Sequence, residues 1–487
     1  MEDFDVCVIG AGYGGATVAA LLAHAGWRVA LVEKTARAGG KTQTTERKGY
    51  HFEMFGAVGI PAHNSRFHEL VDLLGLGDKV HFVVPEGNAA SVRYKAADGE
   101  WRTMYAPLIS GGSAGEMENL KRVYGVSDVE LGALAAFYGA LFEVDDAALA
   151  ELENTGMLGW MAQFDLAAPL LSQICMNLNT LFVVPVNRLA ASEAIPVLRT
   201  QALGGAGRYH MGGYGRVAEA CADYVTAHGG AYFTKRRVRR ILIENGRSTG
   251  VETDDGVIRA RVVVSNAGIQ PTVLDLAGAA SFPPEYVRRV ERLEPSWAIA
   301  GYRYMLDARV FDAALIPVFS DQSWLDDERF ARMERGEWPD VPLIAIDVAS
   351  EFDASLVPVP GHQVANCQVF CSADPRSTMW EEAIRRADVV LNELWPELKN
   401  HILRKEPYGP KQVSGMSRDS AVPGAGGEAV GLAQVVGQVG RSKPSARTPL
   451  PGLFLVGCDA GGSGSGTHQA VDSGFRVAQM IDAELRA

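Results

Sequence analysis

The chain has 487 residues, 47% of them hydrophobic and 21% charged, and a formal net charge of −12. That length exceeds what one ordinary core supports, so two domains are expected. The negative charge excludes a partner such as duplex nucleic acid, whose phosphates demand a basic face.

Residues 4–10, Phe-Asp-Val-Cys-Val-Ile-Gly, form a short β-branched apolar run of the kind that makes a buried parallel strand. It breaks into Gly10-Ala11-Gly12-Tyr13-Gly14-Gly15, then into an alanine- and leucine-rich helix over 16–25, closed by Gly26. A second strand over 28–32 ends on Glu33, with Lys34 beside it. Each part has a mechanical reason. Gly10 permits the turn, Gly12 lets backbone approach a pyrophosphate, and Gly15 lets helix and strand pack closely, with Gly14 between them a further cofactor-binding candidate. The helix N-terminus offers unpaired N–H groups and a positive dipole end to phosphate, and Tyr13 in the glycine loop is a further cofactor-binding candidate. Glu33 stands where an acid accepts hydrogen bonds from both ribose hydroxyls, which selects FAD or NAD over NADP. The next segment separates FAD from NAD. Gly39-Gly40-Lys41-Thr42 brings the chain back across the pyrophosphate, with Lys41 supplying charge, and the segment ending in Gly56-Ala57-Val58 then runs beside an isoalloxazine ring.

The run from Val8 to Gly56 resembles the dinucleotide motif and second glycine pair of the flavin amine oxidase and phytoene desaturase group. A middle block, Tyr209-His210-Met211-Gly212-Gly213-Tyr214-Gly215-Arg216-Val217, is similar to that group's glycine-glycine turn into a helix. A C-terminal block, Thr448-Pro449-Leu450-Pro451-Gly452-Leu453-Phe454-Leu455-Val456-Gly457, looks like its last strand. The three blocks, in the expected order, cover roughly a third of the chain. The resemblance implies a Rossmann-like α/β fold of the two-dinucleotide type that binds FAD. It further implies that Val238 touches adenine through its backbone, that Asn266 and Ala267 lie near the cofactor after their strand, and that Gly457 and Asp459 approach it, Asp459 through the ribityl chain. The final helix, 467–485, points its N-terminus at the flavin pyrimidine edge. There the chain has His468-Gln469 before Ala470, a departure from the desaturase pattern, so carotenoid specificity does not carry over.

The expected FAD-binding domain is discontinuous: 1–95, 205–275 and 440–487. The substrate-binding domain takes 96–204 and 276–439, α+β with a mixed sheet as floor and helices as roof. Helices are expected over 113–124, 128–143, 156–168 and 378–394, and strands over 298–306, 341–349 and 363–370. Residues 421–440 read as a loop returning to the cofactor. The apolar stretch 170–198 is broken by Asn177, Asn179, Pro185, Asn187 and Arg188 and reads as a pocket wall, with a surface resting on a membrane as the second reading. The six scattered cysteines form no metal set, and Cys458 reads as structural. With an acidic start and no run long enough to cross a bilayer, the expected location is cytoplasmic.

A flavin carries its own redox chemistry, so the protein must position a substrate C–H at N5, exclude water and manage charge at the ring. His468 is the first candidate for an active-site side chain, near flavin N1 and O2 as charge stabiliser or general acid/base, and Gln469 offers a backbone N–H. His210 and Tyr209 are secondary candidates, with packing the plainer role for both. The aliphatic stretch 158–186 suggests a largely apolar small-molecule substrate, such as an isoprenoid, polyene or alicyclic compound, oxidised by a dehydrogenase or desaturase that passes electrons to an external acceptor. Double-bond reduction and isomerisation use the same architecture. An amine oxidase ranks lower, since no aromatic pair or lysine pattern announces itself. A flavin-free prenyl-binding protein on the same fold ranks below it because the glycines are intact.

Overall fold

The computed structural model describes residues 3–56, 65–84, 89–106, 114–204, 208–419 and 421–487, and two seven-stranded sheets organise them. In the first sheet the strand Asp3–Ile9 lies between Val29–Val32 and Gly256–Ser265, parallel to both. Ala231–Phe233 adds to the outer edge of Val29–Val32. On the other side, Arg247–Thr253 and Val238–Glu244 continue the sheet antiparallel, and Leu453–Leu455 pairs parallel with the end of Gly256–Ser265. Val6, Cys7 and Val8 are fully buried, as are Val262, Val263 and Val264. Such strands carry continuous apolar runs because both faces are covered.

The helix Tyr13–His24 explains that cover. Every residue from Tyr13 to Ala23 is buried. It packs against the C-terminal helix Thr467–Arg486 and the helix Arg216–Ala227 as well as the sheet. With apolar contacts on all sides it shows no amphipathic stripe. Close approach in its N-terminal half depends on missing side chains. A methyl group on Gly15 would overlap the carbonyl oxygen of Gly10, and one on Gly474 would come 2.6 Å from the Thr17 methyl.

The second sheet runs in the order Ile402–Tyr408, Ala298–Leu306, Gln363–Cys371, Ile344–Asp347, Leu315–Ser320, Ala90–Lys95, Trp101–Ala106. It is antiparallel except for the parallel pair Ala90–Lys95 and Leu315–Ser320. Strand alternation divides its faces. Ala298, Ala300, Ile344, Ile346, Ala365, Cys367 and Val369 pack on the helix Met379–Leu394. Ile299, Ala345, Gln368 and Phe370 point the other way, into the principal cavity. Helices Ala168–Phe182 and Ala191–Gly204 roof that cavity. The fully buried Asn179 anchors the end of the first roof helix, donating to the carbonyls of Val184 and Leu325 at 2.9 Å each and accepting from the Leu325 N–H at 2.8 Å.

Two expectations need correction. Residues 90–95, expected in the cofactor domain, are hydrogen-bonded into the second sheet through Leu315–Ser320. The helix expected over 156–168 is instead a short helix, Met157–Met161, and a single turn, Ala162–Phe164, halted where Asp165 takes φ +47°. Its apolar spacing of three and four persists because the broken pieces still bury Met157, Trp160 and Met161.

Gly15→Ala is expected to destabilise the protein by about 1–3 kcal/mol through backbone overlap. Gly26→Asn, at a left-handed position with open space around it, should cost less than about 1 kcal/mol. Thermal denaturation of the two variants compares them directly.

Candidate functional site

Four parallel strands end level with one another: Ile9 pairs with Val32 and Ser265, and Ser265 with Leu455. The residues just beyond, Gly10, Glu33, Asn266 and Gly457, therefore emerge along one edge. Open α/β sheets place ligands at this carboxyl edge. A cavity of about 690 Å³ starts there and runs between the second sheet and the roof helices, within the size range of cofactor and ligand sites.

Its first arm is built from backbone. A methyl on Gly14 would lie 2.8 Å from the Gly457 Cα, and one on Gly12 would lie 2.8 Å from Asn266 Nδ2. Only glycine lets these loops meet and still leave a cradle. The Gly39 N–H donates to the Ala11 carbonyl at 2.8 Å, so the second glycine pair is docked across the first loop. Glu33 accepts from the Ala11 and Thr35 N–H groups at 2.9 and 2.8 Å, which orients its carboxylate at the arm's end. Lys34, Arg237 and Val238 line the same end; Lys34 pairs with Asp419 at 3.3 Å, and Arg237 also binds Asp419.

Of the residues read from the sequence as cofactor contacts, Gly10, Gly12, Tyr13, Gly14, Glu33 and Lys34 line the cavity. So do Gly39, Gly40, Lys41, Thr42 and Gly56, then Val238, Asn266, Ala267, Gly457, His468 and Ala470. Ala57 and Val58 lie outside the described residues. Gly15 is behind the arm, where it packs the helix on Gly10. Gln469 is buried away from the cavity, and its carboxamide accepts from Gln434 at 3.3 Å.

Asp459 also lies off the cavity wall, and its carboxylate is already engaged. One oxygen accepts from Arg418 at 2.9 Å and from the Leu432 N–H at 3.1 Å; the other accepts from the Ile269 N–H at 2.9 Å. Burial would raise its pKa, but the Arg418 guanidinium and these N–H donors hold it below the usual carboxylate value. It is the anchor of Arg418, which the sequence reading missed. Arg418 lines the cavity, pinned between Asp459 and Glu428 at 2.9 Å each. No local motif announces it, because its two acids come from separate loops. Nearby, Lys41 Nζ donates to the Glu428 and Ala429 carbonyls at 2.6 and 3.2 Å, and burial brings its pKa down to about 8.

His210 and Tyr209, the secondary catalytic candidates, do not line the cavity. Tyr209–His210 pairs antiparallel with Phe82–Val83, which turns the His210 ring into an aromatic cluster of Tyr13, Phe67, Phe82 and Tyr214. Neither ring nitrogen has a hydrogen-bond partner among the described residues, and burial lowers its pKa to about 3. Tyr209 donates its hydroxyl to the buried Glu53, which also accepts from the Tyr214 N–H at 2.9 Å and from Thr44 Oγ1 at 3.0 Å. Burial lifts Glu53 to about 7. Tyr209, Glu53 and Thr44 brace the middle glycine turn, and none of the three lines the cavity.

His468 does reach the cavity. It sits in the first turn of the C-terminal helix, edge-on to Phe67 with ring centroids 5.1 Å apart. Its Nε2 is sealed from solvent without a partner among the described residues, and burial lowers its pKa to about 4, so the imidazole is neutral near pH 7. Around the far part of the cavity stand Phe55, Leu181, Val197, Ile299 and Phe370, with polar groups supplied by Asn177, Thr180, Thr200, Gln201 and Gln368. Gln368 donates to Asp347, a buried acid that also accepts from Asn366 at 3.3 Å and whose pKa burial pushes up.

The glycine cradle, the helix N-termini and the cationic groups suit a dinucleotide diphosphate in the first arm, with a planar ring system reaching toward Gly56 and His468. The sequence profile described as "Flavin containing amine oxidoreductase" matches residues 14–482. Prolycopene isomerase 1 of an Oncidium hybrid cultivar is 26% identical, over 99% of this chain and 84% of that protein. A neurosporene-forming phytoene desaturase of Cereibacter sphaeroides is 26% identical over 55% of this chain and 54% of its own length. Among solved structures, an oxidoreductase from Methanosarcina mazei superposes with a TM-score of 0.72 at 18% identity, covering 98% of this chain and 100% of that one.

Lys41 is expected to make cofactor retention pH-dependent. A lysine titrating near 8 is a cation below that value and loses its charge above it. FAD affinity of the apoprotein is expected to fall as pH rises from 7 to 9. In Lys41→Met it should be about tenfold weaker at pH 7 and flat across the window. Isothermal titration of apoprotein with FAD at each pH measures both.

Proposed function

Because the chain belongs to the family of flavin-containing amine oxidoreductases, we propose that this FAD-dependent oxidoreductase acts as a dehydrogenase or desaturase on a largely apolar small molecule. The single observation that carries this reading is the apolar lining of the chamber, Phe55, Leu181, Ile299 and Phe370, beside the neutral imidazole of His468. Dehydrogenation removes a hydride equivalent and a proton from adjacent carbons, and a neutral imidazole is suited to accept that proton.

When bound, the flavin supplies the two-electron chemistry. The chain's own groups do the rest. Gly10, Gly12, Gly14 and Gly457 form the backbone cradle, while Lys41 and the helix N-termini at Tyr13 and Thr467 face anionic charge. Phe55, Leu181, Ile299 and Phe370 exclude water from the chamber and hold apolar carbon in place. The His468 imidazole, on the cavity wall, is the group placed to take the proton. The relatives named for polyene desaturation and isomerisation support an apolar, unsaturated substrate, and reduction or isomerisation of a double bond uses the same frame.

The amine oxidase alternative fits less well. Among the described lining residues the lysines are Lys34 and Lys41, both in the phosphate arm, so the chamber offers none to hold a water beside the ring. An external electron acceptor and a peripheral membrane contact for substrate delivery belong to this proposal as well.

Anaerobic mixing of the yellow holoenzyme with a panel of polyenes, alicyclic enones and simple amines tests it. Bleaching of the flavin by an apolar substrate in the absence of added reductant is the expected outcome. Bleaching only by an external reductant would reverse the direction of the reaction, and bleaching by amines alone would replace the substrate class. His468→Ala should slow the bleaching by a factor of about 10²–10⁴ while FAD content stays unchanged.

A further inference from the structure

The roof of the chamber carries a polar feature that an all-hydrocarbon substrate leaves unused. Helix Ala168–Phe182 presents Asn177, Thr180 and Leu181 to the cavity, and helix Ala191–Gly204 presents Pro196, Val197, Thr200 and Gln201. Leu181 marks the inner end, because its carbonyl accepts the hydroxyl of Ser465, just before the C-terminal helix. Asn177 lies four residues away, one helical turn or about 6 Å further out.

There Asn177 Nδ2 donates to Gln201 Oε1 at 2.9 Å. That contact orients both carboxamides and leaves Asn177 Oδ1 as an acceptor and Gln201 Nε2 as a donor, neither with a partner among the described residues. The neighbouring hydroxyls give their hydrogens to their own helices, Thr180 to the Met176 carbonyl and Thr200 to the Pro196 carbonyl, at 2.9 Å each. Among the described residues, no charged side chain from either helix lines the cavity, since Arg199 turns outward to the carbonyls of Leu141 and Val144.

We propose that Asn177 and Gln201 form a subsite for a neutral hydroxyl, so that the substrate is an apolar skeleton bearing an alcohol about one helical turn from its reacting carbons. The inference rests on the apolar-substrate reading and narrows it. A hydroxyl satisfies both free groups at once, accepting from Gln201 Nε2 and donating to Asn177 Oδ1. An ether or ketone satisfies Gln201 alone. A carboxylate meets an acceptor with no cation from either roof helix to offset it, and a hydrocarbon strips water from both amides and returns nothing.

The test uses FAD-loaded, full-length oxidised enzyme and three probes on one fifteen-carbon skeleton: farnesol, its methyl ether and farnesene. Binding is followed by perturbation of the flavin spectrum. Farnesol is expected to bind at least about tenfold more tightly than the other two. Asn177→Leu/Gln201→Leu should bring the three affinities together by weakening farnesol alone, with FAD content retained. Gln201→Met alone should reduce the preference in part. Equal affinities in the wild type, or a preference that survives the double substitution, would overturn the hydroxyl subsite and leave the apolar-substrate reading standing. Failure of all three probes to bind enzyme that keeps its flavin would overturn both.

Discussion

The register of four parallel strands governs this molecule. Ile9, Val32, Ser265 and Leu455 stand at the same height in the first sheet, so the chain leaves all four strands along one edge. A slip of one residue in any pairing would exchange its buried and opposite faces and carry its loop away from the others. Because both faces of the central strands are apolar, pattern alone does not choose that register; shape does, as the buried helix Tyr13–His24 seats Gly15 against the Gly10 carbonyl. Glycines then let the exits touch: Gly14 against Gly457, and Gly12 against Asn266. The cradle is the consequence of strands held level and loops stripped of side chains.

From that edge outward the site changes character. The first arm is ionic, with Glu33, Lys34, Lys41, Arg237 and Arg418 along it. Much of that charge is internally balanced, since Arg418 sits between Glu428 and Asp459, and Lys34 and Arg237 share Asp419. Beyond it the roof and floor present uncharged groups: the carboxamides of Asn177, Gln201 and Gln368, two threonine hydroxyls and an imidazole kept uncharged by burial. Arg66 and Asp472, which also line the cavity, pair with each other at 3.1 Å. An ionic arm joined to a chamber with uncharged roof and floor suits a charged dinucleotide whose ring end meets an uncharged organic molecule. Burying an unpaired ion in the chamber would be costly, and among the described residues the chain places none there.

The floor and roof reach this state by different routes. In the floor, strand alternation sends Ala365, Cys367 and Val369 to one helix and Gln368 and Phe370 to the cavity, while Asp347 behind them fixes the Gln368 carboxamide. In the roof, helical spacing brings Asn177 and Leu181 onto one face, and Asn179, two residues from Asn177, turns inward to anchor the helix end to Leu325. Asparagines that interrupt an apolar stretch thus serve opposite purposes according to where the helix points them.

The amino-acid sequence by itself determined the parts whose reasons are local. Gly10 to Gly15 before an alanine-rich helix, Glu33 at the end of the next strand and the doublet at Gly39 are legible because turn geometry, helix dipole and phosphate chemistry all act within a few residues of chain. Only the tertiary structure decided which polar groups face the cavity. Tyr209 and His210 adjoin a motif glycine pair, yet a two-residue pairing with Phe82–Val83 places them in an aromatic core. Asp459 follows the last strand as a ribityl contact would, yet Arg418, forty-one residues earlier, claims its carboxylate. Asn177 and Gln201 meet across two helices. Such outcomes depend on contacts between residues far apart in the chain, where no spacing rule operates and the packing of whole elements sets the direction of each side chain.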